Sequence, residues 1–158
     1  LPFIFNAAPA YNDAFIAEGF PVRDLYLSGA VYNMAWVGPF ETDTPGHAAM
    51  RATWGNFSDS ASSYVVAGWS SQYHIKGVLE AAAKGGDLTR AGIRRAASNV
   101  TVESDGMMTP RDLGLDGPDP ESTITAPDAS VGSGSATVKA NYAGPTASAY
   151  DWSQGPCS

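Results

Sequence analysis

The sequence has few of the residues on which common catalytic and metal-binding motifs are built. Its 158 residues include one cysteine and two histidines, His47 and His74. The patterns GxSxG, HExxH, GxxxxGKS/T and a GxGxxG between a strand and a helix are absent. So few cysteines and histidines argue against a zinc site, and the loop Asp112–Glu121 lacks the regular carboxylate spacing of a calcium loop. We therefore expect no metal, no cofactor and no enzymatic activity, and we interpret both histidines as ordinary helix-surface groups.

Positive charge and long apolar runs are also scarce. Nine basic residues stand against 16 acidic ones, which gives a formal charge of −7. No basic cluster is larger than Arg94-Arg95, and nucleic acid is excluded as a partner because its binding depends on dense positive charge. No apolar run approaches the roughly 18 residues of a membrane span. The chain also starts on apolar residues, LPFIF, without an initiator Met, which predicts a fragment of a longer protein.

The single cysteine, Cys157, lies one residue from the end of the sequence. One interpretation is an exposed free thiol in a frayed tail. The other is half of a disulfide whose partner lies outside these residues, because an odd cysteine in an exported protein usually has a partner. The sequence leaves both interpretations open.

The first part of the chain predicts strands that alternate with helices. FIFNAAPAYND, residues 3–13, is typical of a buried strand that ends in a loop and opens a helix. A second strand is expected over Leu25–Val31, with Gly29 marking a bulge or a close backbone approach. A helix should run from Pro45 to about Trp54, with a cap at Asp43 or Thr44 and an end at Gly55.

Two further helices follow in the sequence. The longer one begins at Ser62 or Ser63 and ends at Lys84, and the residues that predict it recur every three or four positions: Val65, Gly68, Gln72, Ile75, Leu79 and Ala82. The shorter one has Thr89 as its N-cap, with Leu88 and Ile93 at the positions of a hydrophobic staple. After about Asp105 the chain is rich in Pro and Gly, until STITA and SATVKANYAG predict an antiparallel pair of strands.

Four aromatic residues fall near the carboxyl ends of predicted strands: Tyr11, Tyr32, Trp36 and Phe40. In open α/β sheets the ligand crevice lies outside those strand ends, and small-molecule sites commonly have aromatic walls. For each aromatic taken singly, core or interface packing remains the simpler interpretation. The pattern by itself leaves these two alternatives open.

The order of five segments resembles the later half of the type I solute-binding proteins of ABC importers, a group that includes leucine/isoleucine/valine-binding proteins. The segments are FIFNAAPAYNDAFI, PFETDTPGHAAMRA, YVVAGWSSQYHIKGVLEAAAKGGDLTRAGIRRA, DGMMTPRDLG and NYAGPTASAYDW. The resemblance implies an α/β fold with two Rossmann-like lobes, of which this chain is the C-terminal half. Residues 1–105 would be the second part of the first lobe, including a crossover at the start. Residues 106–158 would be a tail that returns to the second lobe and contains a β-hairpin.

The resemblance also implies a function. The protein would be exported, to the periplasm or as a cell-surface lipoprotein, and would present a small amino-acid-like or other small organic solute to a membrane permease. The missing N-terminal half would hold most of the solute's head group, while this half would line its side chain with Asn6, Ala8, Tyr11, Tyr32, Trp36 and Phe40. The same fold could instead serve a sensor that signals to a protein partner, and a small α/β enzyme is a remote third alternative.

One residue departs from the family pattern. Gly92 stands where relatives tend to keep a glutamate, three residues after the cap Thr89. Without that glutamate the helix start loses its capping box, and we expect it to fray more.

Overall fold

The computed structural model describes residues 3–7, 13–57, 62–114, 121–130 and 136–151. The described strands are β1 Ile4–Ala7, β2 Val31–Ala35, β3 Thr101–Val102, β4 Arg111–Asp112, β5 Glu121–Pro127 and β6 Ala136–Ala143. The described helices are α1 Arg23–Tyr26, α2 Pro45–Trp54, α3 Ser63–Lys84, α4 Arg90–Ala97 and α5 Pro145–Ala149, and a short 3-10 helix spans Asp13–Ile16.

The main sheet has the strand order β1-β2-β5-β6. Strands β1 and β2 are parallel, while β5 runs antiparallel to both β2 and β6. The β5–β6 pairing confirms the predicted hairpin, and its register shifts between Ile124 and Thr125. Because β5 also pairs with β2, the hairpin extends the sheet that β1 and β2 begin. Strands β3 and β4 form a separate antiparallel pair, and the division of the chain between two lobes at residue 105 stays a prediction.

The two longest predicted helices are confirmed at both ends. In α2 the hydroxyl of Thr44 accepts a hydrogen bond from the backbone N–H of His47 at 3.2 Å, Pro45 takes the first helical position, and the helix ends before Gly55. Helix α3 starts after Ser62 and ends at Lys84, before Gly85. Local signals specified these ends because caps and terminators act within one turn of the backbone.

The strand predicted over Leu25–Val31 is wrong. Residues 23–26 form the short helix α1, a turn follows, and β2 begins only at Val31. Gly29 has a φ of +79°, a left-handed conformation that has no place in a strand. The hydroxyl of Ser28 donates to the carbonyl of Leu25 at 2.7 Å and holds the turn closed. The β-forming side chains of this segment were outweighed by its turn residues.

The hydrophobic core lies around helices α2 and α3. Its buried members come from the segment after β2, from both helices and from the loop after β3: Val37, Phe40, Met50, Val66, Met107 and Met108. Helix α3 also packs against α4 and β3. Ile75, one of the residues whose spacing predicted α3, is 55% exposed, and the buried members of the helix are Val66, Ser70 and Ala82. The period therefore predicted the helix but not which face is buried.

The start of α4 explains why glycine occupies position 92. A Cβ atom there would overlap the backbone and side chain of Asp87. The carboxylate of Asp87 accepts a hydrogen bond from the backbone N–H of Thr89 at 3.0 Å and pairs with Arg95, while the Thr89 hydroxyl accepts from the N–H of Gly92 at 3.2 Å. Asp87 thus stabilises the helix start where the expected glutamate is missing. Leu88 is exposed, which leaves little apolar burial for the predicted staple.

The described residues lack two features that would bear on function. None of the helices in the described ranges is both long enough and apolar enough to cross a membrane. Within the same ranges, no three side chains among His, Cys, Asp and Glu are grouped so that they could hold a metal ion.

Candidate functional site

The register of the main sheet divides its side chains between two faces. The inner face carries one row of paired residues from three strands, namely Asn6, Asn33 and Thr125. The outer face carries the residues that alternate with them, which include Phe5, Tyr32, Met34 and Ile124.

A cavity of about 150 Å³ lies against the inner face. It is bordered by the end of β2 and the segment that follows, the first turn of α3, and the β5–β6 hairpin. The residues that line it are Asn33, Ala35, Trp36, Val37, Gly38, Pro39, Phe40, Ser63, Tyr64, Val66, Ala67, Thr125 and Ala136. Three segments that are distant in the sequence therefore meet around one small space.

Asn33 is the most buried polar residue of the cavity wall, with 2% of its surface exposed. Its Oδ1 accepts a hydrogen bond from Nδ2 of Asn6 at 3.4 Å, and the same Nδ2 lies 3.3 Å from the hydroxyl of Tyr26. The Nδ2 of Asn33 is buried and has no hydrogen-bond partner among the described residues. A buried donor without a partner costs about 1 to 3 kcal/mol, so this group favours an acceptor placed beside it.

The side chain of His47 holds the segment between β2 and α2 in place through two hydrogen bonds. His47 is fully buried, at 0% exposure, so its interpretation as a helix-surface group is wrong. Its Nε2 lies 3.1 Å from the carbonyl of Gly38 and its Nδ1 lies 2.7 Å from the hydroxyl of Thr44. Since a carbonyl only accepts, Nε2 carries the proton and Nδ1 accepts from Thr44 in the neutral ring. Arg51 adds two further bonds, from Nη1 to the carbonyls of Phe40 at 2.7 Å and Thr42 at 2.9 Å.

The surroundings of both histidines favour the uncharged ring. Burial lowers the pKa of His47; the hydrogen bond to Gly38 opposes this shift, and the charge of Arg51 adds to it. Burial also lowers the pKa of His74, with a smaller contribution from Arg111. The Nε2 of His74 is buried and unpartnered among the described residues, so this histidine too is more enclosed than predicted.

The structure brings together some of the predicted site residues. Trp36 and Phe40 both line the cavity; Trp36 is 45% exposed, whereas Phe40 is buried. Asn6 adjoins the cavity through its hydrogen bond to Asn33.

Tyr32 lies on the outer face instead, where its ring centroid is 5.8 Å from that of Phe3 and 5.7 Å from that of Phe5. Ala8, Tyr11 and Cys157 lie outside the described residues.

Several cavity residues were missed at the sequence level. They come from α3 and the hairpin, which sequence distance separates from β2, and from β2 itself: Asn33, Ser63, Tyr64, Val66, Ala67, Thr125 and Ala136. Only Asn33 carried a local signal. Asparagine is unfavourable in strands, so its position in VYNMA indicates a special role for its side chain.

The chemistry of the cavity is that of binding. The described residues that line it include no charged side chain, and its walls are chiefly aliphatic and aromatic. Burying an unpaired charge in such surroundings is strongly unfavourable. The arrangement can therefore accommodate an apolar group beside the side-chain amide of Asn33.

Comparison with known proteins identifies the fold of this chain. No model of a known protein family matches the sequence, and no curated protein matches it significantly. The mixed sheet and its helices have the fold of part of a substrate-binding protein. The likeness is to the fatty acid ABC transporter substrate-binding protein from Thermomonospora curvata, with a TM-score of 0.77 and 24% sequence identity. It covers 94% of this chain and 38% of that protein, so this chain spans well under half of that protein's length. The predicted α/β fold class is confirmed.

Proposed function

We propose that this chain is part of the substrate-binding component of an ABC importer, a non-enzymatic protein that captures a small organic solute. The observation that carries the proposal is the fold likeness to a substrate-binding protein at a TM-score of 0.77 over 94% of the chain. The apolar cavity beside the strand ends supports it, because small-molecule sites are concave, mostly apolar and equipped with a few directed polar groups.

The solute we propose has an apolar part next to a polar head group, as in an amino acid of the type bound by leucine/isoleucine/valine-binding proteins. The similar protein is named for a fatty acid, which also combines an apolar and a charged part. Trp36 and Phe40 would contact the apolar part, with Asn6 behind Asn33. The charged head group would be held elsewhere, because the described cavity lining carries no charged side chain.

The outer face supports a further part of the proposal, an N-terminal half that packs against this chain. Phe5 and Met34 expose large apolar side chains on this face, and the exposed ring of Phe3 lies beside them against Tyr32. Apolar patches of this kind usually mark an interaction surface. In this arrangement Ala8, Tyr11 and Tyr32 would border the cleft between the two halves, and Cys157 could form a disulfide with the other half. Export to the periplasm or to the cell surface, and a membrane permease as partner, complete the proposal.

Two rival functions are separated by simple observations. A sensor of the same fold would be encoded beside, or fused to, a signalling region instead of a permease. A small α/β enzyme would turn over ester, amide or phosphate substrates in a screen, an activity that the proposal excludes.

The proposal is tested by screening solutes against the protein with every segment that its gene encodes. Amino acids and short fatty acids are added, and the unfolding temperature is recorded. A genuine solute at one hundred times its Kd should stabilise the protein by about 2.7 kcal/mol. Stabilisation by no member of either series, or turnover of an added compound, would contradict the proposal.

The variant Trp36→Ala then tests the place of binding by calorimetry. Since burying one large apolar side chain contributes about 1.5 to 3 kcal/mol, the affinity should fall by roughly 10- to 100-fold. Phe57→Ala is the matched control, because Phe57 is more exposed than Trp36 and does not line the cavity. Equal affinities of the two variants would remove Trp36 from the site. Phe40→Ala is less informative, since Phe40 belongs to the core.

A further inference from the structure

The size of the cavity limits what can enter it. Its volume is about 150 Å³, and an engineered apolar cavity of about that volume in another protein admits a benzene molecule. The cavity therefore fits one ring or one branched aliphatic group, and the rest of a long extended chain would have to lie outside it.

The polar groups of the wall limit the chemistry of that group. The Oδ1 of Asn33 is occupied by Asn6 at 3.4 Å, whereas the buried Nδ2 has no partner among the described residues. A guest that presents an oxygen acceptor to Nδ2 would satisfy it, and a purely hydrocarbon guest would leave it unpaired. The described lining holds no cation for a carboxylate and no anion for an ammonium group.

We propose that the cavity binds an uncharged cyclic or branched apolar group that bears one acceptor oxygen, a carbonyl or an ether, and that this oxygen accepts a hydrogen bond from Nδ2 of Asn33. This inference rests on the proposed function and narrows its class of solute, because the hydrocarbon part of leucine or of a fatty acid would fill the cavity less favourably than an oxygenated group. The bound group is the neutral end of the solute, and any charged end lies outside the cavity. Asn33 is then the residue that distinguishes an oxygenated group from a hydrocarbon of the same shape.

The probes that test this are cyclohexanone and methylenecyclohexane, which differ in the replacement of the carbonyl oxygen by CH₂. Each is titrated into the isotope-labelled protein, and both Kd values are measured by NMR. In the wild type, cyclohexanone should shift the side-chain N–H₂ resonances of Asn33, whereas methylenecyclohexane should shift only the apolar walls. In Asn33→Leu the ratio of the two Kd values should change by about tenfold in favour of methylenecyclohexane. An unchanged ratio, or unmoved Asn33 resonances with bound cyclohexanone, would overturn the proposal.

A second variant keeps the test decisive if Asn33→Leu does not fold. Ala67→Leu adds a larger side chain to the cavity wall from a half-buried position on α3, where leucine is a good helix former. It should weaken both probes at least tenfold. Unchanged binding of both would show that they bind elsewhere and would overturn the proposal.

The solute screen distinguishes this inference from the proposed function. If a solute stabilises the protein but neither probe enters the cavity, the inference fails and the function stands. If cyclohexanone binds as described but no solute stabilises the protein, the cavity chemistry stands and the proposed function fails.

Discussion

The two faces of the main sheet are built from the same strands, but the face with more polar side chains is the more buried one. On the inner face the polar residues Asn33, Thr123 and Thr125 are buried. On the outer face the apolar residues Phe5 and Met34 are 58% and 42% exposed. The more apolar side of these strands is thus the more accessible one.

This difference shows that the burial of a side chain on the sheet depends on which elements cover its face, and not on whether the side chain is apolar. The first turn of α3 lies over the inner face, where the cavity leaves room for polar side chains. The outer face has no comparable cover among the described residues. Since a sheet is stable when its apolar face packs against another layer, the outer face has the character of a packing surface. That is why it supports a further part of the protein in the proposed function.

The largest expected effect comes from the same substitution made in the core and on the outer face. Met50 is fully buried, at 0% exposure, and Met50→Ala should reduce the free energy of unfolding by about 2 to 5 kcal/mol. Met34→Ala, on the outer face, should change it by less than about 0.5 kcal/mol in this chain. Both are measured by urea denaturation. Equal losses would show that the outer face is covered here. In a protein with the proposed second half, the effect of Met34→Ala should increase.

The next comparison uses two glycines, one enclosed and one open. Gly92 is buried against Asp87, so Gly92→Ala should destabilise the protein by about 1 to 3 kcal/mol although alanine favours helices. Gly68 lies within α3 with no atom near its missing Cβ, so Gly68→Ala should stabilise it by about 0.5 to 1 kcal/mol. Thermal unfolding measures both. Stabilisation by Gly92→Ala would mean that Asp87 moves aside without cost.

The smallest expected effect is a dependence of stability on pH, caused by the enclosed histidines. The pKa of His47 lies below its ordinary 6.5 in the folded chain, so below that pH the unfolded chain binds more protons. The stabilisation is fully present above pH 6.5 and declines as the pH falls towards the lowered pKa. Urea denaturation between pH 7.5 and about 5 measures this decline.

Two variants assign that decline to its residues. His47→Gln should flatten the pH dependence, because glutamine does not titrate. His74→Gln should remove a separate part of the loss of stability at low pH, since the pKa of His74 is also lowered. Asp87 and Asp128 have pKa values lowered from 3.8, so their contributions change below this range. An unaltered slope in both histidine variants would assign the decline to other groups.

Much of the local structure could be predicted because its signals act within one turn. The caps Thr44 and Thr89, Pro45 at a helix start, and the alternating residues of the hairpin all specify backbone hydrogen bonds nearby. The strand expected at Leu25–Val31 failed for the same local reason, because Gly29 and Ser28 close a turn there.

The candidate site was predictable only in part. Trp36 and Phe40 lie within five residues after the end of β2, so a rule about strand ends reached them although the strand itself was expected over Leu25–Val31. Asn33, Ala67 and Thr125 could not be grouped from the sequence, because they belong to three elements whose meeting depends on packing. Tyr32 shares a strand with Asn33 but points to the opposite face, since successive side chains of a strand alternate.

The sequence by itself determined α2, α3 and α4 with their ends, the β5–β6 hairpin, and the lack of the common catalytic motifs. These follow from short-range hydrogen bonds and from residue chemistry, which do not depend on distant parts of the chain. The tertiary structure alone decided that His47 is buried, that the apolar face of the sheet is exposed, and that Asn33, whose Nδ2 has no partner among the described residues, lines a small cavity. Each of these depends on which surfaces exclude water from each other, and that is fixed only when distant segments pack together.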